Sequence, residues 1–203
     1  MSQSFHQTGG WIEVVAGVMF SGKSEELIRR VRRSMIARKR VQVFKSHLDA
    51  RYAGIYTVSS HDGRTVEAIP ADSAAQIALQ IDPMANVIAI DEAQFLDDGI
   101  LPLVTSLASR GRRVIIAGTD TDFRGEPFGP MPALMAIAEV VDKLHAICVL
   151  CGGPASRNQR LIAGQPAPWD SPVIMVGGTD SYEARCRMCF SPPRKDAAQA
   201  SLL

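Results

Sequence analysis

The stretch Gly17-Val18-Met19-Phe20-Ser21-Gly22-Lys23-Ser24 constrains this chain more than any other. An apolar run, Trp11-Ile12-Glu13-Val14-Val15-Ala16, precedes it and reads as a buried strand. Glu25-Glu26-Leu27-Ile28-Arg29-Arg30-Val31 follows and reads as the start of a helix. Strand, glycine-bounded loop, Lys-Ser and helix form the context of a phosphate-binding loop. Glycines let the backbone curl so that successive N–H groups converge on phosphate oxygens. The helix N-terminus adds partial positive charge. Lys23 is placed to reach β- and γ-phosphates, and the Ser24 hydroxyl to ligate Mg²⁺. An ordinary strand-to-helix turn is the competing reading; the strand and helix on either side favour the phosphate loop.

A second segment supplies the expected partner. Asn86-Val87-Ile88-Ala89-Ile90-Asp91-Glu92-Ala93-Gln94-Phe95 is an apolar strand ending in an acidic pair. Asp91 sits where it can hold Mg²⁺ directly or through water. Glu92 is placed to take a proton from an attacking hydroxyl or water. An acidic pair capping a helix is the blander reading, and alone the Asp-Glu pair would be weak.

Between these landmarks, strands and helices alternate. Val41-Gln42-Val43-Phe44-Lys45 and Arg113-Val114-Ile115-Ile116-Ala117-Gly118 read as strands. Helices are predicted to about residue 38 after the phosphate loop, then over 73–80, 98–110 and 131–137, with Ser73 or Asp72 as an N-cap. Leu27, Ile28, Val31 and Met35 recur at helical spacing and are expected to face the sheet. The many arginines of that helix read as a solvated, salt-bridged face. Near-continuous apolar strands alternating with helices predict an α/β fold: a parallel sheet flanked by helices, of the P-loop NTPase (RecA-like) type. Ligands then gather at the C-terminal strand ends.

Two long connections stand out. Residues 46–60 carry Asp49-Ala50-Arg51-Tyr52, and Arg51 reads equally as a phosphate contact or a surface ion pair with Asp49. His61 reads as a turn hydrogen-bonder. Residues 119–130 carry Phe123 and Phe128, which either stack on a base or pack in the core.

Composition sets outer bounds. The chain has 203 residues, 46% of them hydrophobic, enough for one main domain and a small appendage. A formal net charge of +1 argues against a dedicated nucleic-acid surface. No apolar run has the length of a membrane span, and residues 1–10 carry no signal-peptide pattern. The expected location is therefore cytoplasmic, with no membrane partner and no nucleic acid.

The four cysteines fall into two pairs, Cys148-x-x-Cys151 and Cys186-x-x-Cys189. Two such knuckles with no other cysteine point to a closed, tetrahedral Cys₄ zinc site of structural type. Unrelated thiols or a redox pair are the alternatives. The spacer is longer than a usual zinc ribbon and holds Val173-Ile174-Met175-Val176-Gly177-Gly178, read as an apolar strand running into a turn. Tethered at both ends, this segment is suited to closing over a ligand. The expected organisation is a tail over 1–10, an ATP-binding α/β domain over 11–147, a zinc-binding lasso over 148–190 and a disordered tail over 191–203.

Taken together, the sequence resembles the zinc-containing type II thymidine kinases. The resemblance runs collinearly from about residue 11 to 190 and rests on the phosphate loop, Asp49-Ala-Arg-Tyr52, Ser60-His-Asp-Gly63, Asp91-Glu-Ala-Gln-Phe95, Asp122-Phe-Arg-Gly-Glu-Pro-Phe-Gly-Pro130, Gln159-Arg-Leu161, Ser181-Tyr-Glu-Ala-Arg-Cys186 and both CxxC pairs. It implies transfer of the γ-phosphoryl group of ATP to the 5′-hydroxyl of thymidine, or also of deoxyuridine, with Glu92 as general base. It implies that Gly17 to Ser24 and Asp91 to Gln94 bind ATP, and that Ser24 and Asp91 bind Mg²⁺. It implies a thymidine site made by Phe123, Tyr182 and the backbone of Val173, Ile174, Met175, Val176 and Gly177, with Met19, Phe95 and Phe128 lining it. It further implies a homotetramer inhibited by dTTP.

Three positions depart from the resemblance. Val18 stands where relatives usually carry proline, and Thr119 where an apolar residue is common. Asn158 replaces a threonine that faces the base, which leaves selectivity between thymidine and deoxyuridine open. Two other classes fit parts of the pattern. A nucleic-acid-stimulated ATPase with a zinc ribbon would use Arg157, Arg160, Arg185 or Arg187, and would show DNA-stimulated hydrolysis. A non-catalytic nucleotide sensor would bind ATP without turnover, and Glu92 argues against it.

Overall fold

The computed structural model describes residues 9–46, 56–59, 65–174 and 181–193. The chain runs β1 (Trp11–Gly17), α1 (Lys23–Ile36), β2 (Val41–Ser46), β3 (Tyr56–Ser59), β4 (Thr65–Ala71), α2 (Ala74–Gln80) and β5 (Val87–Asp91). A single 3₁₀ turn, Ala93–Phe95, leads to α3 (Ile100–Ser109), β6 (Arg113–Thr119), α4 (Met131–Ile137) and β7 (Val140–Leu144). These strands form one seven-stranded sheet in the order β3-β4-β2-β5-β6-β1-β7. All neighbours are parallel except the β3–β4 edge pair.

Helices cover both faces, which is why the central strands are apolar throughout. On one face Leu27, Ile28 and Val31 of α1 pack with Val15, Ala89, Ile115 and Ala117. On the other, Ile12, Val14, Ile88, Ile90, Val114 and Ile116 pack with Ile77 of α2, with Ile100, Val104 and Leu107 of α3, and with Met131 and Leu134 of α4.

The strand order positions the site. Because β6 lies between β5 and β1, its C-terminal residue Thr119 sits between Asp91 and the phosphate loop. Beyond the sheet come β8 (Ala146–Ile147) and β9 (Pro154–Ala155), a two-stranded ladder. β10 (Arg157–Ile162) then pairs antiparallel with both β11 (Gln165–Pro166) and β12 (Ser181–Arg185).

Several expectations shift. α1 stops at Ile36 rather than near residue 38, and α3 begins at Ile100 rather than 98, where Asp97 and Asp98 carbonyls start the turn. Met35 does not face the sheet: it is 55% exposed, while Ser34 is buried in its place. The reason is an ion cluster rather than an apolar contact. Arg30 is buried, donating Nη1 to Glu13 Oε2 at 2.8 Å and Nε to Glu26 Oε1 at 2.8 Å, and pairing with Asp142 on β7. Arg113 donates Nε to Glu13 Oε1 at 2.6 Å and Nη1 to Ser34 Oγ at 2.9 Å. One arginine of the basic face is thus a core residue. Val173 and Ile174 lie in irregular chain rather than in a strand, and Met175 to Gly178 lie outside the described residues. So do Asp49 to Tyr52, including Arg51, and His61.

Candidate active site

The phosphate loop follows directly from the end of β1. Gly22 has φ 83°, a left-handed conformation that glycine adopts without strain. Having no side chain, Gly22 caps α1 without masking its first N–H groups, which point toward incoming anions. Ser21 Oγ donates to the Val18 carbonyl at 2.7 Å, and Lys23 Nζ donates to the same carbonyl at 2.8 Å. These two bonds hold the loop in its curl. Burial lowers the pKa of the Lys23 ammonium, and the carboxylates of Glu92, Asp91 and Asp120 oppose that shift. The lysine is therefore surrounded by the charges of a cation-phosphate site.

Asp91 and Ser24 meet, as the sequence predicts: Ser24 Oγ donates to Asp91 Oδ2 at 3.3 Å. Burial, then the charge of Glu92, pushes the Asp91 carboxyl up to about 6. A buried carboxylate facing a hydroxyl is a donor set that fits a hard divalent cation such as Mg²⁺.

Glu92 has φ 56° and ψ 38°, which is uncommon for a residue with a side chain. Such strain concentrates at functional sites. The turn swings its carboxylate into the cavity, where Gln94 Nε2 donates to Oε2 at 2.6 Å. Gln94 Oε1 in turn accepts from the Thr119 N–H at 3.0 Å, so the amide is locked end to end. Gly118 makes room for this: a Cβ there would lie 2.9 Å from Gln94 Oε1 and 2.5 Å from Met131 Sδ.

The cavity above these residues has a volume of about 470 Å³. One end is the phosphate loop, Met19 to Glu25, with Glu92 and Gln94 beside it. The other end is aromatic, with Phe95, Phe123, Phe128 and Tyr182, closed by Val173 and Ile174. Phe95 and Phe128 meet edge to face, with centroids 5.6 Å apart. Twelve predicted wall residues therefore converge besides Glu92 and Gln94: Met19, Phe20, Ser21, Gly22, Lys23, Ser24, Phe95, Phe123, Phe128, Val173, Ile174 and Tyr182. Ala93 is fully buried in the core and does not reach the wall, nor do Gly17 and Val18.

Asn158, set against the base by the resemblance, lines the cavity; sequence reasoning missed that it also ties the two ends together. Asn158 on β10 is buried; its Oδ1 accepts from the Met19 N–H at 2.8 Å and its Nδ2 donates to the Thr121 carbonyl at 2.8 Å. One amide thus joins the phosphate loop, the 119–130 loop and the smaller sheet. Val18 belongs to the same buried cluster as Ala146, Cys148, Ala155 and Ala184, so a branched apolar residue at this position packs on the cysteine lobe. Asp120 is buried and paired with Lys143 at 2.7 Å.

The sulfurs of Cys148, Cys151, Cys186 and Cys189 lie within 4.8 Å of one another. Each pair occupies a tight turn, with Gly152 N–H donating to the Cys148 carbonyl at 2.8 Å and Phe190 N–H to the Cys186 carbonyl at 3.0 Å. Backbone N–H groups, that of Cys186 first, pull the Cys148 thiol down to about 6. The neighbouring sulfurs, those of Cys186 and Cys151 first, push Cys189 up to about 12. A compact set of four thiols with all sulfurs this close fits a soft tetrahedral dication, and zinc is the first-row ion it suits.

With this geometry in view, a family model for thymidine kinase matches residues 10–190. The chain belongs to the thymidine kinase family. Among solved structures, the Legionella pneumophila ATPase DotB is similar at 17% identity with a TM-score of 0.37, covering 64% of this chain and 35% of that one. This chain therefore spans about a third of the length of DotB. The cysteine cluster is compatible with the structural zinc expected from the sequence. Among the described residues, no helix is long and apolar enough to cross a membrane.

Proposed function

We propose that this protein transfers the γ-phosphoryl group of ATP to the 5′-hydroxyl of thymidine, giving dTMP. One observation carries the reading: a single cavity with a phosphate cradle at one end, an aromatic slot at the other, and Glu92 on the wall between them. The aromatic end suits a neutral pyrimidine, which is recognised by stacking and by backbone hydrogen bonds rather than by a basic groove.

In this reading the N–H groups of Gly22 to Ser24 and the Lys23 ammonium bind the β- and γ-phosphates and neutralise charge as the bond to the leaving oxygen breaks. Ser24 and Asp91 would hold Mg²⁺, which supplies further charge neutralisation at the phosphates. Gln94 orients the Glu92 carboxylate toward the acceptor. Glu92 aligns the 5′-hydroxyl and takes its proton late, when the transition state has loosened. Phe95, Phe123, Phe128 and Tyr182 flank the base, with Val173 and Ile174 across it. Residues 11–147 then form the ATP-binding domain, and 148–190 a lasso closed by zinc on its four cysteines. A homotetramer inhibited by dTTP belongs to the same reading.

The test is a nucleoside panel with Mg²⁺-ATP, read as nucleoside monophosphate formed. The expected result is dTMP from thymidine, with purines and ribonucleosides inert and deoxyuridine ranked by the same assay. No monophosphate from any nucleoside, in protein that still binds ATP, would overturn the reading. Light scattering with and without ATP, and inhibition by dTTP, test the assembly and feedback.

A further inference from the structure

The ring of Phe123 is held between two guanidinium groups. The Cζ of Arg124 lies 4.9 Å from the ring centroid and that of Arg160 lies 5.3 Å from it. Both arginines also grip one stretch of chain, residues 168–174. Arg124 Nε donates to the Trp169 carbonyl at 2.7 Å and Nη2 to the Ser171 carbonyl at 2.8 Å. Its Cζ lies 5.4 Å from the Trp169 ring. Arg160, fully buried on β10, donates Nη1 to the Pro172 carbonyl at 2.6 Å. Residues 168–174 belong to no helix or strand, so three successive anchor points of their backbone rest on arginine side chains instead of a ladder.

The grip is itself braced. Asp122 Oδ1 accepts the N–H groups of Arg124 and Glu126 at 2.8 and 3.0 Å, fixing the turn that carries Arg124. Asp122 Oδ2 lies 3.5 Å from Arg124 Nη1. From the gripped stretch, Val173 and Ile174 reach the cavity wall, and Phe123 forms the wall opposite the phosphate cradle.

We propose that Arg124 and Arg160 are positioning residues for the nucleoside. They form a sling that locks residues 168–174 and Phe123 to each other and so sets the width of the base slot. The proposal rests on the reading of the cavity as a nucleoside kinase site. Arginine is required because one planar group must donate along two edges while lying flat on a ring; a lysine ammonium offers a point charge without that face. The contacts of Arg124 run to residues 122, 123, 169 and 171, so its effect is expected on nucleoside binding rather than on ATP.

Two measurements test the sling, on Arg124→Lys as the main variant and Arg160→Lys as the second. The first is hydrogen exchange over residues 168–174 without nucleoside. Losing a charged donor bonded to a carbonyl is expected to speed exchange by about ten- to a hundredfold, with residues 17–24 unaltered. The second is steady-state kinetics. The thymidine KM is expected to rise by the same about ten- to hundredfold factor, with the ATP KM unchanged and kcat changed less than KM. Unchanged exchange, or a kcat loss at an unaltered thymidine KM, would overturn the sling. Because Arg160 is fully buried its variant is at risk of misfolding; Arg124, on a partly exposed loop, decides alone in that case. A wild type that phosphorylates no nucleoside overturns the kinase reading itself, whereas an active wild type whose Arg124→Lys variant keeps its thymidine KM overturns only the sling.

Discussion

The two ends of the cavity are built by different means. The phosphate end is made from one contiguous strand-loop-helix unit on the central sheet, with Asp91 two strands along, on the far side of β6. Its parts are held by parallel ladders and a double-faced core. The aromatic end is assembled from three distant stretches: 95–128, 158–174 and 182. Those stretches are held by side-chain bonds, chiefly from Asn158, Arg124 and Arg160, and by the four-cysteine lobe. Under the proposed function, the difference teaches that chemistry common to many phosphoryl transfers sits on rigid scaffold, while the choice of acceptor sits on parts that a few side chains position. It also predicts that perturbations will separate: some will strike acceptor binding alone, others turnover alone.

The largest expected break comes from the metal. Cys186→Ser is expected to lose stoichiometric zinc and to collapse the acceptor end, since structural zinc supplies much of the folding free energy of thin lobes. Zinc content by mass spectrometry, with thymidine and ATP binding by calorimetry, checks it. Thymidine binding should vanish, and ATP binding should weaken but persist, because the lobe reaches the phosphate loop through Val18 and Met19 while the loop itself stands on β1 and α1.

Glu92→Gln should strike turnover alone. General-base assistance is typically worth about 10²–10⁴-fold, and kcat should fall by that order with both KM values nearly unaltered. Near-normal turnover would remove Glu92 from the role of base.

Asn158 tests the joint between the ends. Asn158→Ala deletes both amide bonds and leaves the Met19 N–H unpaired, a cost of about 1–3 kcal/mol. Both KM values should rise together, unlike in Glu92→Gln. A change confined to thymidine would mean that the amide serves the base site only.

The smallest effect concerns acid. The hydrogen bond from Arg29, opposed by burial and reinforced by Arg30, holds the Glu26 carboxyl at about 2 against an ordinary 4.5. Glu13 is also held low, because Arg113, Trp11 and Arg30 outweigh its burial. A depressed carboxyl stabilises fully above its ordinary value and loses that contribution as pH falls through its folded value. Urea midpoints should therefore fall from pH 4.5 toward 2, and Glu26→Gln should flatten that slope. Because this cluster joins α1 to β1 and β7, it is the phosphate end that acid should loosen.

The same division governs what could be read before the fold was known. The phosphate loop, the Asp91-Glu92 strand end and the paired cysteines announce themselves because their chemistry fixes local spacing. The parallel sheet was legible because strands covered on both faces are apolar along their whole length. Met35 was misplaced because periodicity sees apolarity but not the Glu13–Arg30–Arg113 cluster, which buries Arg30 and Ser34 instead. Asn158 bonds to a residue 139 positions away, and no local pattern encodes such a pairing. Arg160 reads from the sequence as a candidate arginine finger and Arg124 only as part of the 122–130 block, since nothing in the sequence says that three carbonyls of one irregular stretch await them.

The left-handed turn at Glu92 carries a consequence for anyone engineering this protein. Backbone of that kind costs on the order of 1–3 kcal/mol for a residue with a side chain, and glycine or asparagine would relieve it. A screen for heat resistance would therefore drift toward substitutions at position 92 that delete the carboxylate. In the proposed reading, thermal hardiness and phosphoryl transfer pull this one residue in opposite directions, so stabilising libraries should leave it fixed.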